Sequence, residues 1–129
     1  MTYITVNPNP RRKSVGDCVI RAISVATDKD WDEVFFELML KGYEMKDIPT
    51  ANNIWGAYLR DLGFKKEPIK DTCPDCYTVK DFVKDNPKGT FVLGTGSHAV
   101  TVKDGQYYDA WDSGDEVPIY YFRKDNGGN

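Results

Sequence analysis

Apolar residues recur at helical spacing through the first part of the chain and then switch to short alternating runs. Val19, Ile20, Ile23 and Ala26 fall on one helical face and predict a helix from about Asp17 to Thr27. Asp30 followed by Glu33 matches a capping box, and Trp31, Val34, Phe35, Leu38 and Met39 carry a second helix up to Gly42. Thr50 is the expected cap of a third helix, with Ile54, Trp55, Tyr58, Leu59 and Leu62 as its stripe and Gly63 as its stop. Residues 65–77 read as a charged, proline-containing connection. Thr78 then caps a short fourth helix bearing Val79, Phe82 and Val83, which Asn86-Pro87 ends. Strand patterns follow at Thr90–Leu93, His98–Lys103, Gln106–Trp111 and Val117–Arg123, and residues 2–6 form a short leading strand that Asn7-Pro8-Asn9-Pro10 stops. Helices followed by an antiparallel sheet define an α+β class. With no repeat or linker, one domain is expected over residues 1–129. Its first fifteen residues are a strand and loop lead-in, and residues 124–129 a frayed tail.

Composition bounds the function. The 129 residues include three Trp, eight Tyr and six Phe, enough to fill one core. A net charge of -3 argues against a nucleic-acid partner, and the short Arg11-Arg12-Lys13 run reads as a solvated loop. No apolar run reaches the length of a membrane span, and the N-terminus lacks the regions of a signal peptide, so a soluble cytoplasmic protein is expected. Three cysteines are an odd number and too few for a disulfide scaffold, which fits a reducing compartment. Cys73-Pro74-Asp75-Cys76 has the spacing of zinc knuckles and redox pairs. A closed zinc site needs four ligands, and a redox pair belongs at a strand-to-helix junction of a parallel fold. The run is therefore read as a loop with two incidental thiols, Cys73 and Cys76 being only weak metal candidates, and no cofactor is expected.

The chemistry concentrates elsewhere. Gly16-Asp17-Cys18 sets a cysteine on the first turn of the first predicted helix, where unpaired N–H groups and the helix dipole favour a thiolate. The single histidine, His98, starts a strand that reverses at Asp104-Gly105, a strong two-residue hairpin signal. That turn pairs Val102 with Tyr107, Val100 with Asp109 and His98 with Trp111, so His98 and Asp109 become diagonal neighbours on one face. A three-residue turn would slip the register and bring Asp112 opposite His98 instead. Cys18 as nucleophile, His98 as base and Asp109, or alternatively Asp112, as the carboxylate that orients it form a candidate catalytic set. Each residue alone has an ordinary reading: a small core cysteine, a partly exposed histidine, solvated aspartates. Arg21, one turn after Cys18, reads most simply as a surface residue pairing with Asp17 or Asp28, and Trp111 as a core aromatic.

The run Gly16-Asp17-Cys18-Val19-Ile20-Arg21-Ala22-Ile23-Ser24 resembles the cysteine motif of ovarian-tumour-type deubiquitinases. The order Cys, His and then a strand-borne Asp is similar to papain-like peptidases. The hairpin from His98 to Asp109 resembles those of bacteriocin-transporter leader peptidases and transglutaminase-like enzymes. The resemblance implies a papain-like fold and a cysteine hydrolase acting on a protein or peptide substrate, cleaving a peptide, isopeptide or related amide bond through a thioester. The motif departs from these families where Val15 replaces an Asp and Arg12 stands at the usual Gln position. The oxyanion donors are then expected to be the Cys18 N–H with a neighbour such as Asn7, Asn9 or Ser14. Two other readings stay open: a non-catalytic papain-like binding module, of the kind found among phage or bacterial accessory proteins, and an acyl-transfer enzyme. Loops 42–50, 65–77 and 94–97 are the expected specificity elements.

Overall fold

Residues 2–124 are described by a computed structural model. Four helices, α1 (Cys18–Thr27), α2 (Trp31–Met45), α3 (Asn52–Asp61) and α4 (Val79–Asp85), combine with six strands. α1 buries Val19, Ile20, Ala22 and Ile23 and ends where Asp28 turns left-handed at φ 61°. α2 starts as the capping pattern requires, with the Asp30 side chain accepting from the Glu33 N–H at 2.8 Å. It does not stop at Gly42 but runs to Met45. Gly42 serves packing instead, since a Cβ there would lie 2.9 Å from both the Asp47 carbonyl oxygen and Pro49 Cγ. α3 starts one residue later than expected, with Ala51 rather than Thr50 at the cap and no side-chain capping bond. Thr78 and Asp81 form a reciprocal capping box on α4.

The strands are β1 (Tyr3–Thr5), β2 (Phe64–Pro68), β3 (Thr90–Gly94), β4 (Ala99–Lys103), β5 (Gln106–Asp109) and β6 (Tyr120–Lys124), in the sheet order β1-β5-β4-β3-β6-β2. Two corrections follow. The sheet is mixed rather than antiparallel, because β1 runs parallel to β5 with Thr5 opposite Asp109. The connection after α3 also contains a strand: β2 pairs antiparallel with β6, Lys66 opposite Phe122. Only Phe64 of β2 is buried, and its lysines face water at a sheet edge, where charge blocks further pairing. Several strand ends move inwards, those of β1 by one residue each from the expected 2–6. β4 begins after His98, β5 ends at Asp109 rather than Trp111, and β6 begins at Tyr120, beyond Pro118. Lys124 closes β6 instead of fraying, and the rest of the expected tail lies outside the described residues.

Both faces of the sheet are covered. α1 and α3 pack Ile23, Ile54, Trp55 and Leu59 against Val92, Ala99 and Phe122, while α4 packs Val79, Phe82 and Val83 against Leu93, Val100, Val102 and Tyr107. β4 is therefore buried on both sides, and the hydroxyl of Thr101 satisfies itself by donating to the Ala22 carbonyl of α1. The β4–β5 turn is the expected two-residue one: Asp104 and Gly105 take φ 48° and 80°, and Val102 lies opposite Tyr107. At the open end of this hairpin, His98 and Asp109 meet the start of α1. Among the described residues no helix is long and apolar enough to cross a membrane.

Candidate active site

Cys18 opens α1, and its neighbour Asp17 is buried at the entry to the helix. His98 is presented by the loop before β4. Thr95 fixes that loop: its N–H donates to the His98 carbonyl at 2.9 Å and its hydroxyl oxygen accepts from the His98 N–H at 3.1 Å. Gly96 supplies the bend, with φ 99°. His98 Nε2 lies 2.7 Å from Asp109 Oδ2, which leaves Nδ1 as the nitrogen available to Cys18, a residue that lines the same cleft as the ring.

Asp109 is held from four sides. Its Oδ2 also accepts from Ser113 Oγ at 2.6 Å, while Oδ1 accepts from the Ala110 N–H at 2.8 Å and from Arg21 Nη2 at 3.5 Å. Its backbone carbonyl is tied to β1, accepting from the Val6 N–H at 2.9 Å and the Tyr3 hydroxyl at 3.2 Å. A buried carboxylate with this many donors is stabilised in its ionised form. Burial alone would raise the Asp109 pKa, but the His98 and Ser113 bonds and the His98 charge bring it below the usual carboxylate range. For His98, burial works against the charged ring. The hydrogen bonds and charges of Asp109 and Cys18 overcome it and lift the imidazole from 6.5 to about 9. Burial likewise raises the Cys18 thiol, yet the His98 hydrogen bond, a bond from Ala99 and the charges of His98 and Arg21 leave it below 9.0. The site thus favours the charged forms of both partners, an imidazolium on His98 and a thiolate on Cys18.

The pair faces a cleft of about 190 Å³ walled by Gly16 ahead of α1, Asn52 and Trp55 of α3, and Gly96 and Ser97. The Trp111 ring lies 4.8 Å from His98 and covers one side of it, being 46% exposed rather than a core aromatic. A larger groove of about 560 Å³ runs past Asn7, Lys29 and Lys103, but it holds no nucleophile–base pair. Chemistry rather than size singles out the smaller cleft.

The structure gives the remaining candidates these places. Asp112 accepts from the Tyr107 hydroxyl at 2.5 Å and the Gly114 N–H at 3.1 Å, with no bond to His98. Asn7 and Asn9 are not brought to Cys18: Asn7 Nδ2 donates to the Lys13 carbonyl at 3.4 Å, and the amide of Asn9 is engaged with Asp17 and the Arg11 N–H. Ser14 is exposed and does not line the cleft. Cys73 and Cys76 are joined by a disulfide, a correction to the reading of incidental thiols, and as a bonded pair they offer no thiolates to a metal. Among the described residues no group of three or more His, Cys, Asp or Glu is placed to hold a metal ion. Arg21 is not a surface residue. It is 8% exposed and pairs with Asp17 and Asp109 rather than with Asp28, which lies near Lys103.

Sequence reasoning missed Ser113 and Asn52. Ser113 carries no signal beyond its nearness to Asp109. Asn52 stands in the cleft wall with its Oδ1 accepting from Trp55 Nε1 at 3.0 Å and its Nδ2 donating to the Gly96 carbonyl at 3.4 Å. Its i to i+3 spacing with Trp55 was visible, but the approach of Gly96 was not.

A thiolate beside an imidazolium can attack a carbonyl carbon and deliver a proton to the leaving group. Comparison of the chain with protein-family models, curated proteins and solved structures finds no match to any of them.

Proposed function

We propose that the protein is a small cysteine hydrolase of papain-like type that cleaves a peptide, isopeptide or related amide bond in a protein or peptide substrate. The observation that carries this reading is the Cys18–His98–Asp109 relay, with 2.7 Å between His98 Nε2 and Asp109 Oδ2 and the cysteine on the other side of the ring. The Cys18 thiolate attacks the carbonyl carbon, and the His98 imidazolium gives its proton to the departing amine as the C–N bond breaks. A thioester remains on Cys18. Neutral His98 then takes a proton from water, the hydroxide adds to the thioester, and the C–S bond breaks to release the acid and restore the ion pair. The Cys18 backbone N–H at the start of α1 is one oxyanion donor in this scheme, and Asn52, which lines the same cleft, is the candidate for the second through the amide hydrogen it does not give to Gly96.

Replacing Cys18 by Ala tests the proposal. Loss of both hydrolysis and labelling by a thiol-directed acyl probe is expected, and unchanged labelling would refute it. A non-catalytic papain-like binding module is the second reading, favoured by the apolar residues that α2 leaves in water, with Phe36 and Tyr43 each 70% exposed. An effect that survives Cys18→Ala but is lost in Phe36→Ser with Tyr43→Ser would favour that module.

A further inference from the structure

Arg21 and Asp17 form a second tier behind the relay. Asp17 stands just ahead of α1, four residues before Arg21, and the Arg21 Nη1 group donates to Asp17 Oδ1 and, at 3.4 Å, to the Val15 carbonyl. Arg21 Nη2 reaches Asp109 Oδ1 at 3.5 Å. Asp17 itself is immobilised: its Oδ2 accepts from Trp31 Nε1 at 2.9 Å and from Asn9 Nδ2 at 3.3 Å. An aspartate just ahead of a helix usually caps it, but Asp17 makes no capping bond, and its oxygens go to Arg21, Trp31 and Asn9 instead. Burying a guanidinium is costly unless its partners are fixed. Here both partners are 4% exposed.

We propose that Arg21 is a positioning residue of the site: a buried cation, anchored by Asp17, that draws Asp109 Oδ1 towards α1 and so leaves Oδ2 turned to His98. The division of oxygens supports this. Oδ1 takes the Arg21 and Ala110 donors, while Oδ2 takes His98 and Ser113. Charges then alternate along Cys18, His98, Asp109, Arg21 and Asp17. The charged and titratable groups around the guanidinium are Asp17 just ahead of α1, Cys18 on it, His98 ahead of β4 and Asp109 on β5. The loop before α1 adds the neutral Asn9 and α2 the neutral Trp31, through Asp17, while β3 carries no titratable side chain. Lys103 of β4 is engaged elsewhere, at the Val25 carbonyl and Asp28.

This inference rests on Cys18 being the nucleophile, and its test is independent of any substrate. Cys18 is the free cysteine of the oxidised chain, so its alkylation rate by iodoacetamide as a function of pH reports one thiol. Removing the cation by Arg21→Met should make the thiolate harder to form and move the curve alkaline by about one pH unit. Arg21→Lys keeps the charge and should move it by less than half of that. Asp17→Asn frees the guanidinium from its anchor and should move the curve the same way as Arg21→Met, by a smaller amount. No shift in Arg21→Met, or a shift in Arg21→Lys as large as that in Arg21→Met, overturns the proposal. If Arg21→Met fails to fold by circular dichroism, the alkaline shift of Asp17→Asn decides alone, and its absence overturns the proposal. A wild-type curve with the midpoint of an ordinary thiol would instead refute the catalytic reading of Cys18 itself.

Discussion

Replacing Asp109 by Asn isolates the force that keeps His98 charged. The site raises the imidazole from 6.5 to about 9, a difference worth about 3 kcal/mol in favour of the imidazolium. That figure is what remains after burial has worked against the charge. Among the favourable contributions the Asp109 hydrogen bond and charge each outweigh those of Cys18, so Asp109 supplies more than half. The His98 side chain is only 11% exposed, and solvent screens the interaction little. Asp109→Asn keeps the shape and removes the charge, and it should lower the His98 pKa by at least about one pH unit. His98 is the only histidine, so its ring-proton resonance gives a single NMR titration curve without any substrate. The alkaline limb of the pH–activity profile should fall by the same amount, with a loss in kcat of roughly a hundredfold or more. A His98 midpoint that stays near 9 in Asp109→Asn would refute the reasoning.

Further consequences concern stability. Taken alone, His98 has a raised folded pKa, so its contribution is fully present below 6.5 and is lost as pH rises through about 9. Cys18 alone has a lowered folded pKa, so its contribution is present above 9.0 and is lost as pH falls through the folded value. Where these windows overlap the two slopes oppose each other, so wild-type stability should fall less steeply towards pH 9 than the histidine alone would make it. In Cys18→Ser only the histidine slope remains, and urea midpoints should fall as pH rises above 6.5. Ser113→Ala removes a 2.6 Å bond to a buried carboxylate and should cost about 1.5–3 kcal/mol in urea unfolding, with a fall in kcat. Gly94→Ala would set a Cβ 2.4 Å from the Tyr120 ring, so a loss of about 1–3 kcal/mol is expected, read as a lower Tm.

Much of this arrangement was legible because local signals agreed with the tertiary fold. Asp104-Gly105 determined its own turn type and thereby the register that sends His98 and Asp109 to one end of a hairpin. Asp30 and Thr78 announced α2 and α4 through short-range capping chemistry. What was hidden depends on contacts distant in sequence. β2 lacks an alternating pattern because edge lysines and a half-buried Glu67 surround its one core residue, Phe64, and only β6 makes it a strand. β1 is short, and its parallel pairing with β5 has no local marker. The i to i+4 pair of Asp17 and Arg21 could be read from spacing, but Arg21 becomes a buried group only because Asp109 arrives from 88 residues away. The residues ahead of Cys18 offer no side chain to the cleft, whereas Asn52 lines it from α3, far away in sequence.

The central claim is that Cys18 forms and then releases an acyl group with the help of His98. Intact-mass spectrometry after a pulse of an activated acyl ester tests it directly. The wild-type protein should gain one acyl group on Cys18 and lose it again as the thioester is hydrolysed. His98→Ala should slow both steps, and Cys18→Ala should gain none. Acylation elsewhere, or an adduct on Cys18 that forms and clears at the same rates without His98, would contradict the account.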